Sequence, residues 1–389
     1  MTITANSTEP NEISNPSRRW QTAGYYTAFI ILGLTSASFG PALTYLADQT
    51  QTQLSQISAL FAFRSLGYLL GSLRGGWLYD HRPGHPVLTG VLLALAACMA
   101  MVPAVPLLIP LIGILFVIGL CEGTMDVGGN TLIIWAHGPK VGPFMNGLHF
   151  FFGIGAFLAP IFIAQAVLLT GRYDAAYWLI ALLILPLAFF MSRVPSPINH
   201  TARGSAAEKP FNRRLVVLLV LFFFLYVGAE VSFGGWVFTY ATRLNLGDAT
   251  IAALITSAFW GALTVGRLLA IPVSTRLDPK TILWVDLIGC GLSMFLIVLF
   301  PTVAAVLWIG TLLLGLSMAS IFPTALTLAE KRLHISGKIT SWFFIGASLG
   351  GMVLPWVIGQ VFDPLGPTAA MALIFGDVLL AILLYFFIK

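Results

Sequence analysis

Charge is scarce in this sequence. Only 9% of its 389 residues are Asp, Glu, Lys or Arg, whereas 58% are hydrophobic. A soluble domain carries roughly 25% charged residues, so too little polar surface is left here to cover a soluble core. Cysteine is scarce as well. Cys98, Cys121 and Cys290 each sit in an apolar stretch, without metal-ligand spacing, so neither a disulfide framework nor a metal site is expected. A Gly-x-x-x-x-Gly-Lys-Ser/Thr phosphate loop is missing, as are a nucleophile elbow, an HExxH and a CxxC pattern. Their absence removes ATP-driven pumping and the common hydrolytic and redox chemistries. No enzyme activity and no resident cofactor are expected.

What is present is apolar sequence in long runs. A helix that spans a bilayer needs about 20 largely apolar residues. Twelve runs meet that need, at 20–47, 54–79, 86–103, 107–136, 141–170, 174–193, 214–243, 249–275, 280–301, 303–332, 338–362 and 367–388. The expected fold class is therefore an all-α membrane protein with twelve transmembrane helices. The one long interruption, 194–213, is polar and rich in Pro, Ser and Ala. It is read as a linker between six-helix halves at 20–193 and 214–389, with 1–19 as an N-terminal tail lacking the apolar core of a signal peptide.

The halves repeat. Gly71-Ser-Leu-Arg-Gly-Gly-Trp-Leu-Tyr-Asp80-His-Arg-Pro-Gly84 is followed 195 residues later by Gly266-Arg-Leu-Leu-Ala-Ile-Pro-Val-Ser-Thr-Arg276-Leu-Asp278-Pro, and the same offset carries Gly155 to Gly350 and Pro160 to Pro355. Two similar membrane halves about a central site are the plan of a secondary transporter. Asp80, Arg82, Arg276 and Asp278 are expected to form a charged cytoplasmic gate, with Arg74 and Arg267 grouped beside them.

The basic residues are one-sided. Arg18, Arg19, Arg82, Lys140, Arg193, Arg203, Lys209, Arg213, Arg214, Arg276, Lys280, Lys331, Arg332, Lys338 and Lys389 fall on the side of both termini, and only Arg172 and Arg243 fall in the opposite loops. By the positive-inside rule the termini are cytoplasmic. This distribution accounts for the net charge of +5, and no nucleic-acid partner is needed. Membrane lipid is the expected surroundings, a bacterial inner membrane the expected location and a monomer the expected state.

Charges within the runs are expensive and are read as functional. Glu122, Asp126 and Asn130 are spaced i, i+4, i+8, a stripe on one helix face, beside Gly119, Gly123 and Gly128–Gly129. Two carboxylates one turn apart repel in low dielectric unless a proton or cation intervenes, which is the chemistry of a coupling site. Arg64, mid-run in the second helix, is the candidate structural partner for one of them. Glu230 stands halfway along the seventh run without a cation within a turn, and Trp236 and Tyr240 follow it. Asn146 and His149 open the fifth run. His149 is either a proton relay or a helix–helix hydrogen-bonding residue.

Two six-helix halves, the Asp80-His-Arg-Pro-Gly84 loop and the central linker resemble the major facilitator superfamily over essentially the whole chain. Asp126-Val-Gly-Gly-Asn130, Asn146-Gly-Leu-His149-Phe-Phe-Phe-Gly, Tyr226-Val-Gly-Ala-Glu230 and Ile321-Phe-Pro-Thr are similar to segments of the fucose permease and sodium-dependent glucose transporter group. The resemblance implies that Asp126 and Asn130 serve sugar binding and cation coupling. The fucose permease pattern also has a first-helix carboxylate, where this chain has Thr35, Ser36 and Ser38.

The expected function is cation-coupled transport of a monosaccharide, a hexose or deoxyhexose, by alternating access. Asp126, Asn130 and Glu230 are expected to bind sugar hydroxyls, and Trp236, Tyr240 and Trp342 to offer a ring face. Glu122 and Asp126, with Arg64, are expected to carry H+ or Na+. The competing expectations are an exporter of amphipathic drugs or lipids and a non-transporting membrane sensor.

Overall fold

The structure, a computed structural model, describes residues 15–197, 212–332 and 337–388. The start of the expected tail, residues 1–14, and most of the expected linker, 198–211, lie outside the described residues. So do Arg203, Lys209 and Lys389, and the Lys338 side chain.

Described residues form helices without strands. They are α1 (Asn15–Gln49), α2 (Leu54–Ile57), α3 (Ala59–His81), α4 (Gly84–Met101), α5 (Leu108–His137), α6 (Gly142–Thr170), α7 (Asp174–Arg193), α8 (Arg213–Arg243), α9 (Ala249–Ser274), α10 (Pro279–Leu299), α11 (Ala304–Met318), α12 (Ile321–Arg332), α13 (Gly337–Leu365) and α14 (Pro367–Ile388). Eleven helical segments are long and apolar enough to cross a membrane, with α11 and α12 together forming one of them. The twelfth span is α3, which carries Arg64, Arg74 and Asp80 and whose 23 residues reach about 34 Å at 1.5 Å per residue. The chain is an integral membrane protein. Helices suit this setting because all of their backbone groups are satisfied within the segment.

Two expected runs are broken. The 54–79 run turns at Ser58, between α2 and α3. The 303–332 run breaks at Ala319–Ser320, one turn before Pro323. Proline has no N–H, and its ring crowds the carbonyl four residues back.

Glycines set the packing, and they show the repeat in space. A Cβ added at Gly33 would strike the Phe152 carbonyl, and one at Gly155 the Ile30 carbonyl, so α1 and α6 touch backbone to backbone. The pair 195 residues on, Gly228 and Gly350, makes the same crossing between α8 and α13, with Gly350 against the Phe224 carbonyl. Small residues permit such close approach in helix packing. On α3 and α5 the contact interleaves: Gly67 and Gly71 meet the Phe116 and Leu120 carbonyls, while Gly119 and Gly123 meet those of Arg64 and Tyr68. That crossing carries the α5 acids onto the Arg64–Tyr68 face of α3.

The halves meet mainly away from the face where α7 ends and α8 begins, here called the linker face. Gly40 of α1 rests on Gly234 and Gly235 of α8. Gln360 of α13 donates to the Ser55 carbonyl at 2.8 Å and to Ser58 Oγ at 3.2 Å. Ser65 Oγ donates to the Gly351 carbonyl at 3.1 Å. At mid-depth Gly153 of α6 packs against Thr264 of α9, and Gly261 against Phe157.

Candidate functional site

The two acids of α5 diverge to different partners. Arg64 grips Glu122 with both arms of its guanidinium, Nε to Oε2 at 2.8 Å and Nη2 to Oε1 at 2.9 Å. Ser36 Oγ adds a bond to Oε1 at 3.2 Å. Glu122 is fully buried, and a buried carboxylate is tolerable only when paired and hydrogen-bonded in this way. Asp126 has no such guanidinium clamp among the described residues. It accepts from the Tyr68 hydroxyl at 2.5 Å and from Asn130 Nδ2 at 3.1 Å, and that same amide also donates to the Asp126 carbonyl at 2.9 Å. The i, i+4 spacing of Asp126 and Asn130 thus makes one polar unit, part-exposed on the inner face of α5.

Across the interface, Glu230 of α8 is also part-exposed. Tyr226 lies one turn back on α8, and its hydroxyl donates to the Met318 carbonyl at 3.0 Å. Arg267 of α9 is within electrostatic range of Glu230 in its own half and of Asp126 and His149 in the other, without an ion pair to either acid among the described residues. Arg267 was expected among the gate charges by its place in the repeat. It is part-exposed, and Thr264, one turn back on α9, packs against Gly153 of the other half. It stands seven residues short of the helix end. His149 meets Phe29 edge-on, with ring centroids 5.9 Å apart.

The aromatic residues named from the sequence are not gathered around these acids. Trp236 is completely buried. Its ring lies between Phe61 at 5.8 Å and Phe362 at 5.0 Å, and its N–H donates to the Pro355 carbonyl at 3.1 Å. Tyr240 is buried and donates to the Pro301 carbonyl at 3.3 Å. Trp342 is 48% exposed near the start of α13. Of the expected gate residues, Asp80, Arg82 and Arg276 are exposed at helix ends. Asp278 caps α10 through the Lys280 N–H at 3.1 Å and pairs with Lys331 at 3.6 Å, so its cation is on α12 and not at Arg276.

Two more acids lie in the C-terminal half, Asp377 buried and Asp286 part-buried. Asp286 accepts a hydrogen bond from Ser320. Asp377 lies against a cavity of about 10 Å³ bounded by Tyr226, Cys290 and Met318, and its Oδ2 has no hydrogen-bond partner among the described residues.

Known proteins align with this arrangement. The model of the Major Facilitator Superfamily matches residues 25–355. Sodium-dependent glucose transporter 1 of Xenopus laevis is 35% identical over 355 residues, covering 84% of this chain and 72% of that one. Sodium-dependent glucose transporter 1A of Mus musculus is 34% identical over 374 residues, covering 86% and 88%. In fold, the chain is similar to the crystal structure of the nucleoside transporter NupG, with a TM-score of 0.78 at 15% identity over 96% of this chain and 100% of that one. It is equally similar to a bacterial homologue of the human lysosomal transporter Spinster in an inward-facing, occupied conformation, with a TM-score of 0.79 at 10% identity over 96% and 97%. The chain belongs to the Major Facilitator Superfamily and is a membrane transporter, not an enzyme.

Proposed function

From that membership, we propose that the protein moves a monosaccharide across the membrane by alternating access, coupled to a cation. The observation that carries the reading is the charge count at the centre. Glu122 is neutralised by Arg64 within one half. That leaves Asp126 and Glu230, on opposite halves, without an ion pair among the described residues, and with one guanidinium, that of Arg267, within electrostatic range of both. An uncompensated carboxylate in low dielectric is costly. One proton or sodium ion balances the set, and the identities of the relatives as sodium-dependent glucose transporters favour sodium and a hexose.

The chemistry of the pieces fits a polyol. Asp126, Asn130 and Glu230 present acceptors and an amide to hydroxyl groups, and a site that bonds each hydroxyl discriminates against analogues lacking one. Residues 20–193 and 214–389 act as the two rocking units. The contacts of Trp236 with Phe61 and of Gln360 with Ser58 close the face away from the linker. The part-exposed acids are then reached from the linker face, which the basic residues assign to the cytoplasm.

The test is uptake of labelled glucose, galactose and fucose into liposomes containing the purified protein, under a proton gradient or a sodium gradient. Accumulation above equilibrium under one gradient supports the reading and names the ion. Folded protein that takes up none of the three under either gradient overturns it and favours export of an amphipathic compound.

A further inference from the structure

Two tryptophans lie deep in the C-terminal half, and their N–H groups differ. That of Trp236 is bonded to Pro355. That of Trp260, on α9, is buried and has no partner among the described residues. Indole nitrogen only donates, and an unsatisfied buried donor bears its full desolvation cost unless something else accepts from it. The Trp260 side chain as a whole is only half-buried.

Its position is set by two helices. Trp260, Thr264 and Arg267 are spaced i, i+4, i+7 and share one face of α9. The Thr264 hydroxyl is already used on the Trp260 carbonyl at 2.7 Å. The indole lies over Gly234, where a Cβ would come within 2.6 Å of its Cζ2. Gly234 is one turn beyond Glu230 on α8. Because α8 and α9 run in opposite directions, Arg267 and Glu230 lie to the same side of the indole, toward the linker face. Trp260 is therefore one turn further from the linker face than Glu230, at the level where Gly235 meets Phe61, and Phe259 props it edge-on at 5.1 Å.

We propose that Trp260 is the aromatic platform and N–H donor of the central sugar site. Its ring lies along the C–H face of a pyranose, and its Nε1–H donates to a hydroxyl oxygen. This rests on the sugar reading above. It gives Trp260 the part that the sequence offered to Trp236, whose faces and N–H are both occupied.

The test is equilibrium binding of labelled D-glucose, D-galactose and L-fucose to the purified full-length protein, with melting temperatures measured alongside. Trp260→Phe keeps a ring and loses the donor, and is expected to weaken the best-bound sugar about tenfold with an unchanged melting temperature. Trp260→Ala is expected to weaken it roughly a hundredfold. One monodeoxy analogue of that sugar should bind wild type and Trp260→Phe equally, which identifies the accepting hydroxyl. Trp236→Phe should instead lower the melting temperature. Wild-type protein that binds a sugar, with both Trp260 variants unchanged, overturns the assignment alone. Folded wild-type protein that binds none of the three overturns the sugar reading and this assignment with it. If Trp260→Ala does not fold, the Trp260→Phe and deoxy-sugar comparison decides.

Discussion

Arg64 on α3 and Glu122 on α5 form a two-pronged ion pair, with bonds of 2.8 and 2.9 Å, inside the N-terminal half. The pair exists because Gly119 and Gly123 let α5 approach the α3 backbone without a side chain between them. Arg64→Met or Glu122→Gln alone strands a buried partner and should cost about 3–5 kcal/mol. The double variant Arg64→Met/Glu122→Met should recover most of it. Thermal melts of the four proteins in detergent check this, and a double variant no better than the singles would show that the pair is not an isolated unit.

Asp126 differs, since its partners Tyr68 and Asn130 are neutral. Asp126→Asn should fold normally and lose gradient-driven accumulation by at least tenfold, while exchange of substrate across the membrane persists. Uptake and counterflow in the same liposomes separate the two. Normal accumulation by this variant would remove Asp126 from coupling.

Removal of the Arg267 cation should be more damaging. Arg267→Gln leaves Asp126 and Glu230 without a compensating guanidinium, at about 2–5 kcal/mol, roughly 30-fold or more in transport efficiency. Arg267→Lys should restore part of it. Initial uptake rates against substrate concentration check this.

Gln360 and Ser58 join the halves on the side away from the linker face. In a background lacking the native cysteines, Gln360→Cys/Ser58→Cys treated with a short thiol cross-linker should stop transport, and reductive release should restore it. Full transport while cross-linked would mean that this contact does not open during the cycle.

Glycine substitutions should sort by what surrounds them. Gly350→Leu collides with the Phe224 carbonyl and should abolish a monodisperse, folded protein, as should Gly155→Leu at the equivalent crossing. Gly113→Ala and Gly376→Ala face open space and should express like wild type. Size-exclusion profiles of the four variants decide.

The spans were legible because lipid leaves the backbone few options. Residues 174–193 and 367–388 match α7 and α14 at both named bounds, and most other runs agree within a few residues. The Glu122–Asp126–Asn130 stripe was legible from helical periodicity. Partner choice was not. Nothing along the chain says that Glu122 takes Arg64 while Asp126 takes Tyr68, because those bonds cross 58 residues and depend on which carbonyls the glycines meet. For the same reason nothing along the chain says that Phe61 and Phe362 enclose the Trp236 ring.

The sequence by itself determined that this is a twice-repeated, twelve-span membrane protein, because apolar run length, glycine spacing and Lys/Arg asymmetry are local properties that a bilayer reads directly. Only the tertiary structure decided which polar groups meet. Helix rotation and depth are set by packing against neighbours, and a rotation of one residue, about 100°, turns a side chain from the central site into the core.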